Sequence, residues 1–216
     1  MNKILVFALS ILTLTGLLQA HENWVMVDNY YPDSGDTLTI TLSGGHHFPE
    51  NDVLISENLL YQPKVILPDN STESLHFQAD ENRWTAQYIV KQPGVHLIRI
   101  DLKRPQMDRP LFYGEAIIIA GKSDNYSAYR QNLPLGILPG KALSSYTAGS
   151  TLSLKLLRDG KLASGTLSLI PAGGRENFLT VSPDAPAEFK MKSSGAYLAT
   201  VSESGVTCSV TFAIKP

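Results

Sequence analysis

The chain has 216 residues, 43% hydrophobic and 18% charged, with a formal net charge of −2. That balance describes a protein able to bury a core and excludes the strongly basic surface that nucleic acid or an anionic membrane would select. A single cysteine, Cys208, excludes an internal disulfide, so stability has to come from packing.

The first predicted element is an export signal over residues 1–20. Lys3 supplies a short basic start, Ile4 to Leu18 is an apolar run of about fifteen residues, and Ala20 offers the small residue that a signal peptidase needs. That run is shorter than a spanning helix, and no later apolar run is long enough to cross a bilayer. Cleavage after Ala20 would make His21 the first residue of the mature chain.

After the signal the texture changes to β-branched and aromatic runs punctuated by Gly, Pro, Asn and Asp. Strands are predicted at 24–27, 37–43, 64–67, 84–91, 95–102 and 115–120, then at 151–157, 166–170, 187–191, 196–202 and 206–214. A weak internal repeat runs through them. Ser34-Gly35-Asp36-Thr37-Leu38-Thr39-Ile40-Thr41-Leu42 matches Ala148-Gly149-Ser150-Thr151-Leu152-Ser153-Leu154-Lys155-Leu156, and Pro93-Gly94-Val95-His96-Leu97 matches Ser194-Gly195-Ala196-Tyr197-Leu198. The expected fold is all-β, with two tandem immunoglobulin-like antiparallel β-sandwiches over residues 21–121 and 128–216. The join is the polar stretch Gly121-Lys122-Ser123-Asp124-Asn125-Tyr126.

The repeat also weighs the histidines. His96 shares a strand face with Ile98, Ile100 and Leu102, and Tyr197 holds its slot in the second half, so a core ring is expected rather than a ligand. His76 has no partner in sequence and is read as structural or surface. Cys208 lies in a β-type run and is read as a buried thiol.

The chemistry-bearing stretch is Gly44-Gly45-His46-His47-Phe48-Pro49-Glu50-Asn51-Asp52, a glycine-led loop. In an antiparallel sandwich the first strand begins at the pole where the second finishes, so His21 should start beside His46 and His47. The connection 103–110, carrying Met107 and Asp108 as weaker candidates, should arrive at the same pole. A first-position histidine offers two adjacent nitrogen donors, its α-amine and Nδ1, which together chelate one metal ion. The metal ligands expected are therefore His21, His46 and His47, and imidazole-rich nitrogen sites suit Ni, Co, Cu or Zn rather than Ca or Mg.

At these residues the chain resembles a known family. His21-Glu22-Asn23-Trp24 straight after a signal, Gly35-Asp36-Thr37, Gly45-His46-His47-Phe48-Pro49, Pro93-Gly94-Val95 and Asp159-Gly160-Lys161-Leu162-Ala163-Ser164-Gly165 are similar to a bacterial exported domain-of-unknown-function family linked to nickel and cobalt uptake, the periplasmic part of a substrate-specific component of nickel transport. The resemblance implies a periplasmic protein that binds or delivers a divalent transition metal (nickel, cobalt or copper) and partners a metal transporter in the membrane. It supports His21, by its terminal position, and His46, by the Gly-His-x-Phe pattern. Where such proteins tend to have a Thr-Asp-x-x-Gly turn, this chain has Ser182-Pro183-Asp184-Ala185-Pro186. No nucleophile elbow or zinc-protease helix occurs, so no catalytic residues are assigned. Two alternatives remain open: a copper oxygenase built on a histidine brace, and a structural or adhesive sandwich module that binds a partner by an edge strand.

Overall fold

Alternation of threonine or serine with leucine or isoleucine governs the local structure. In Thr37–Gly45, Leu38, Ile40 and Leu42 are buried, and in Thr151–Arg158, Leu152, Leu154 and Leu156 are buried. A period of two puts one residue set on one face, which only a strand can satisfy. The repeated glycines have a shared cause. Gly35 and Gly149 open these strands at φ of 98° and 87°, and Gly94 and Gly195 open the later pair at 129° and 117°. Side chains rarely adopt this left-handed region, so both halves keep glycine at the same turns.

The structure, a computed structural model, describes residues 22–121 and 133–216. The export signal over 1–20, His21, most of the 121–126 join and the domain start at 128 lie outside the described residues. Two single turns of 3-10 helix, Glu57–Leu59 and Leu143–Ser145, are the helices among the described residues. The strands in chain order are β1 (Glu22–Val27), β2 (Thr37–Gly45), β3 (Leu60–Ile66), β4 (Thr72–Ser74), β5 (Gln78–Asp80), β6 (Arg83–Ile89), β7 (Gly94–Leu102) and β8 (Phe112–Ala120). They continue as β9 (Leu135–Pro139), β10 (Thr151–Arg158), β11 (Lys161–Ala163), β12 (Gly165–Pro171), β13 (Asn177–Val181), β14 (Ala187–Lys190), β15 (Gly195–Glu203) and β16 (Val206–Ile214). Sequence reading anticipates a strand at eleven of these places and misses β4, β5, β9, β11 and β13. Those are three to five residues long, too short for a period to declare itself.

Two sandwiches are present, and they share a wall. One four-stranded sheet runs β1-β2-β6-β5, and another joins β11, β10 and β14, with β9 also paired to β10. Facing both is one eight-stranded sheet in the order β13-β12-β15-β16-β8-β7-β3-β4. The two halves meet where β16 pairs with β8, from Thr207↔Phe112 to Thr211↔Ala116, and that pairing is parallel. This departs from the purely antiparallel sandwiches expected above.

The composition of β8 accounts for the departure. All nine residues of Phe-Tyr-Gly-Glu-Ala-Ile-Ile-Ile-Ala are buried. Phe112, Ala116, Ile118 and Ala120 enter one core with Leu38, Ile40 and Leu42, while Tyr113, Ile117 and Ile119 enter the other with Leu152, Leu154 and Leu156. A strand with a wet face would alternate with polar residues; a near-continuous apolar run needs cover on both faces.

The other side of that strategy is a buried ionic group. Arg99, on β7 opposite Glu115, places Nε 3.1 Å from Asp101 Oδ1 and Nη1 3.6 Å from Glu115 Oε1, with its guanidinium 5.4 Å from the centre of the Tyr113 ring. Burial pushes the Glu115 and Asp101 carboxyls above their ordinary range, against the pull of Arg99. Cys208 is fully buried and its thiol is pushed up by burial, an inert core residue.

His96 is fully buried. Its Nε2 lies 2.8 Å from the Gln92 carbonyl, which can only accept, so Nε2 carries the proton and Nδ1 accepts the Tyr88 hydroxyl at 2.7 Å. Burial holds this imidazole below its ordinary pKa. Tyr197, in the equivalent slot, donates its hydroxyl to the Ser193 carbonyl at 2.6 Å. Both side chains thus tie to a carbonyl four residues back, at the mouth of the same repeated turn. His76 is exposed.

Candidate metal centre

The histidine loop begins where β2 runs out. The Gly44 carbonyl accepts the N–H groups of Asp52 at 3.2 Å and Val53 at 3.0 Å, closing the loop into a ring. Gly45 makes that closure possible, because a Cβ there would meet the Asp52 carboxylate, the Glu50 carbonyl and the Trp24 ring. The closed loop turns Asp52 onto His46: Nδ1 and Oδ2 are 2.8 Å apart, and the His46 backbone N–H points to the same oxygen at 3.4 Å. Asp52 accepts from Nδ1–H, which makes Nε2 the ring nitrogen that carries the lone pair.

Phe48 anchors the loop from below. Its ring meets the fully buried Trp24 edge-on, centroids 5.6 Å apart, and both pack on Leu198 of β15. The Gly173 N–H donates to the Phe48 carbonyl at 3.3 Å. The loop of the first sandwich is therefore held by the second. Between them lies a cleft, with Glu22, His46, His47 and Glu50 on one wall and Arg175 and Glu176 of the β12–β13 turn on the other. Glu22 is the register partner of Gly45. Burial, and to a lesser degree the charge of Glu176, pushes the Glu22 carboxyl up.

His46 and His47, both exposed, thus line one cleft together with Glu22. Met107 and Asp108 do not line it. From their connection it is Lys103 and Arg104 that reach this pole, lining a neighbouring cleft that also touches Glu22. Among the described residues no group of three or more His, Cys, Asp or Glu side chains is placed to hold a metal ion. A full coordination set at this loop needs donors beyond them. Sequence reading misses Asp52 as a partner of His46, although it closes the same loop, and misses Glu22, which follows His21 directly. Arg175 and Glu176 arrive by tertiary packing alone, and no pattern in the sequence announces them.

Fold and site define a β-sandwich architecture whose histidine-bearing pole is shared by both halves. The chain belongs to the family described as "Domain of unknown function (DUF4198)", whose model matches residues 18–206. That description assigns no activity and carries no link to nickel or cobalt uptake. Solved structures similar to the chain include a two-domain fibronectin type-III segment of chicken tenascin, at 12% identity over 90% of this chain and 100% of that one, with a TM-score of 0.30. The Escherichia coli adhesin FdeC is 13% identical over 89% of this chain and 62% of its own length, with a TM-score of 0.30. The D0-D1 domain of intimin is 13% identical over 89% and 97%, with a TM-score of 0.29. No curated protein matches. Among the described residues no helix is long and apolar enough to cross a membrane.

Proposed function

We propose that this protein is a periplasmic carrier for a divalent transition metal (nickel, cobalt or copper), bound by the mature amino terminus and the histidine loop, for delivery to a transporter in the membrane. The observation that carries the reading is the Asp52–His46 contact. A carboxylate on the Nδ1–H of an imidazole is the arrangement that orients metal-binding histidines and raises their basicity. Glu22 lies in the same cleft, and consecutive Cα atoms are about 3.8 Å apart. On this reading a first-residue His21, which directly precedes Glu22 in the chain, adds its amine and ring to the donors that His46 and His47 offer in that cleft. The donor set is then an amine, up to three imidazoles and the carboxylates around them, a set that suits Ni(II), Co(II) and Cu(II).

The test is a calorimetric titration of the mature protein, its first residue fixed by mass spectrometry, with each of the three ions at neutral pH. One ion bound per chain supports the reading. Absence of binding by protein that begins at His21 refutes it.

A further inference from the structure

A second cleft opens beside the histidine loop, and Glu22 borders both. Its walls come from the start of β1, the β7–β8 connection and the β15–β16 hairpin. Charges of both signs face it. Lys103 and Arg104 stand on the β7–β8 connection, and among the described residues no carboxylate forms an ion pair with either. Lys103 is steadied by the Tyr61 ring, its Nζ 4.8 Å from the centroid. Glu22 brings the opposite charge from β1.

The floor holds an unpartnered hydroxyl. Thr200 is 8% exposed, lines the cleft, and its Oγ1 has no hydrogen-bond partner among the described residues. Two rungs along the same hairpin, on the same face, Ser202 Oγ and Thr207 Oγ1 are 2.8 Å apart and satisfy each other. Ser209, directly opposite Thr200, is buried and also unpartnered, so that rung is not closed in the same way. A buried polar atom left without a partner beside a cleft marks a place where a ligand gains a hydrogen bond. Leu102 and Phe112 add an apolar wall.

A simple anion entering this cleft would meet Glu22, and a simple cation would meet Lys103 and Arg104. A molecule with a charge of each sign satisfies both. We propose that the cleft binds a small zwitterion of the α-amino acid class, its carboxylate held by Lys103, Arg104 and the Thr200 hydroxyl, its ammonium by Glu22, and an apolar side chain against Leu102 and Phe112. This site needs no metal, and with the metal stripped its test does not depend on the reading above, although Glu22 borders both clefts.

The experiment uses chelator-treated mature protein and calorimetric titration with leucine, with 4-methylpentanoate, which lacks the ammonium, and with 3-methylbutylamine, which lacks the carboxylate. Leucine should bind at least roughly tenfold more tightly than either analogue, since each analogue leaves one charged group of the cleft unpaired. Arg104→Ala, at an exposed position, and the near-isosteric Thr200→Val should each weaken leucine binding at least roughly fivefold, while His46→Ala leaves it unchanged. No heat with leucine, an equal affinity for 4-methylpentanoate, or native affinity in both cleft variants would each overturn the proposal. With metal stripped throughout, its failure leaves the metal titration unaffected.

Discussion

Asp52 is the residue whose removal separates an oriented metal ligand from a pair of surface histidines. Its Oδ2 lies 2.8 Å from His46 Nδ1 and both side chains are partly exposed, at 34% for His46 and 45% for Asp52. Exposure makes the pair a weak source of stability, about 0–1 kcal/mol. The loop is closed by the backbone bonds to the Gly44 carbonyl, which Asp52→Ala keeps. The fold should therefore survive with a small change in Tm. The metal should not be so tolerant. Losing the carboxylate frees the imidazole to rotate and to carry its proton on Nε2. Removing such an outer partner typically costs 10–100-fold in metal affinity, about 1.4–2.7 kcal/mol. Asp52→Asn, whose amide oxygen can still accept from Nδ1–H but without charge, should fall between. The assay is calorimetric titration of native, Asp52→Ala and Asp52→Asn proteins with Ni(II) and Cu(II) at neutral pH. If Asp52→Ala binds within about twofold of native while remaining folded, the orienting role is wrong.

Further outcomes follow from the same structure. A single Gly placed before His21 turns the terminal amine into an amide and should reduce metal affinity at least roughly tenfold, about 1.4 kcal/mol, by the same titration; equal affinities would remove the terminus from the site. His46→Ala with His47→Ala should lose a comparable amount, and the exposed His76→Ala nothing. His96→Phe should leave metal binding intact but lower Tm, because the bonds of the imidazole to the Tyr88 hydroxyl and the Gln92 carbonyl are lost, at about 1–3 kcal/mol for a buried group. Since the folded His96 has a lowered pKa, its contribution is complete above the ordinary value of 6.5 and is lost as pH falls below it. Native protein should thus lose stability faster than His96→Phe on acidification from pH 6.5, as followed by urea melts at several pH values. Parallel pH profiles would contradict the buried neutral ring. Arg99→Met strands the buried Glu115 and the partly buried Asp101 carboxyls and should cost about 3–5 kcal/mol in urea unfolding; an unchanged midpoint would mean that this ion group is not holding the shared sheet.

Much of the architecture is written in local order. The Thr-Leu-Thr-Ile-Thr-Leu and Thr-Leu-Ser-Leu-Lys-Leu runs commit each segment to a strand with one buried face, because a period of two permits nothing else. The glycine pairs at 35 and 149, and at 94 and 195, mark equivalent turns because their backbone needs a positive φ. The same repeat places His96 in a core through its likeness to Tyr197. A glycine-led pair of histidines is likewise visible as an exposed loop. What the sequence could not decide are relations between segments that lie far apart along the chain. The all-apolar run of β8 demands cover on both faces, but only folding selects β16 as its parallel neighbour and so merges two sandwiches into one wall. Only the closed loop aims Asp52 at His46, and only packing against β15 and the β12–β13 turn makes a cleft of that loop. Short-range periodicity reports which way a side chain faces; the partner it meets there is set by the burial of whole sheets, which no local pattern encodes.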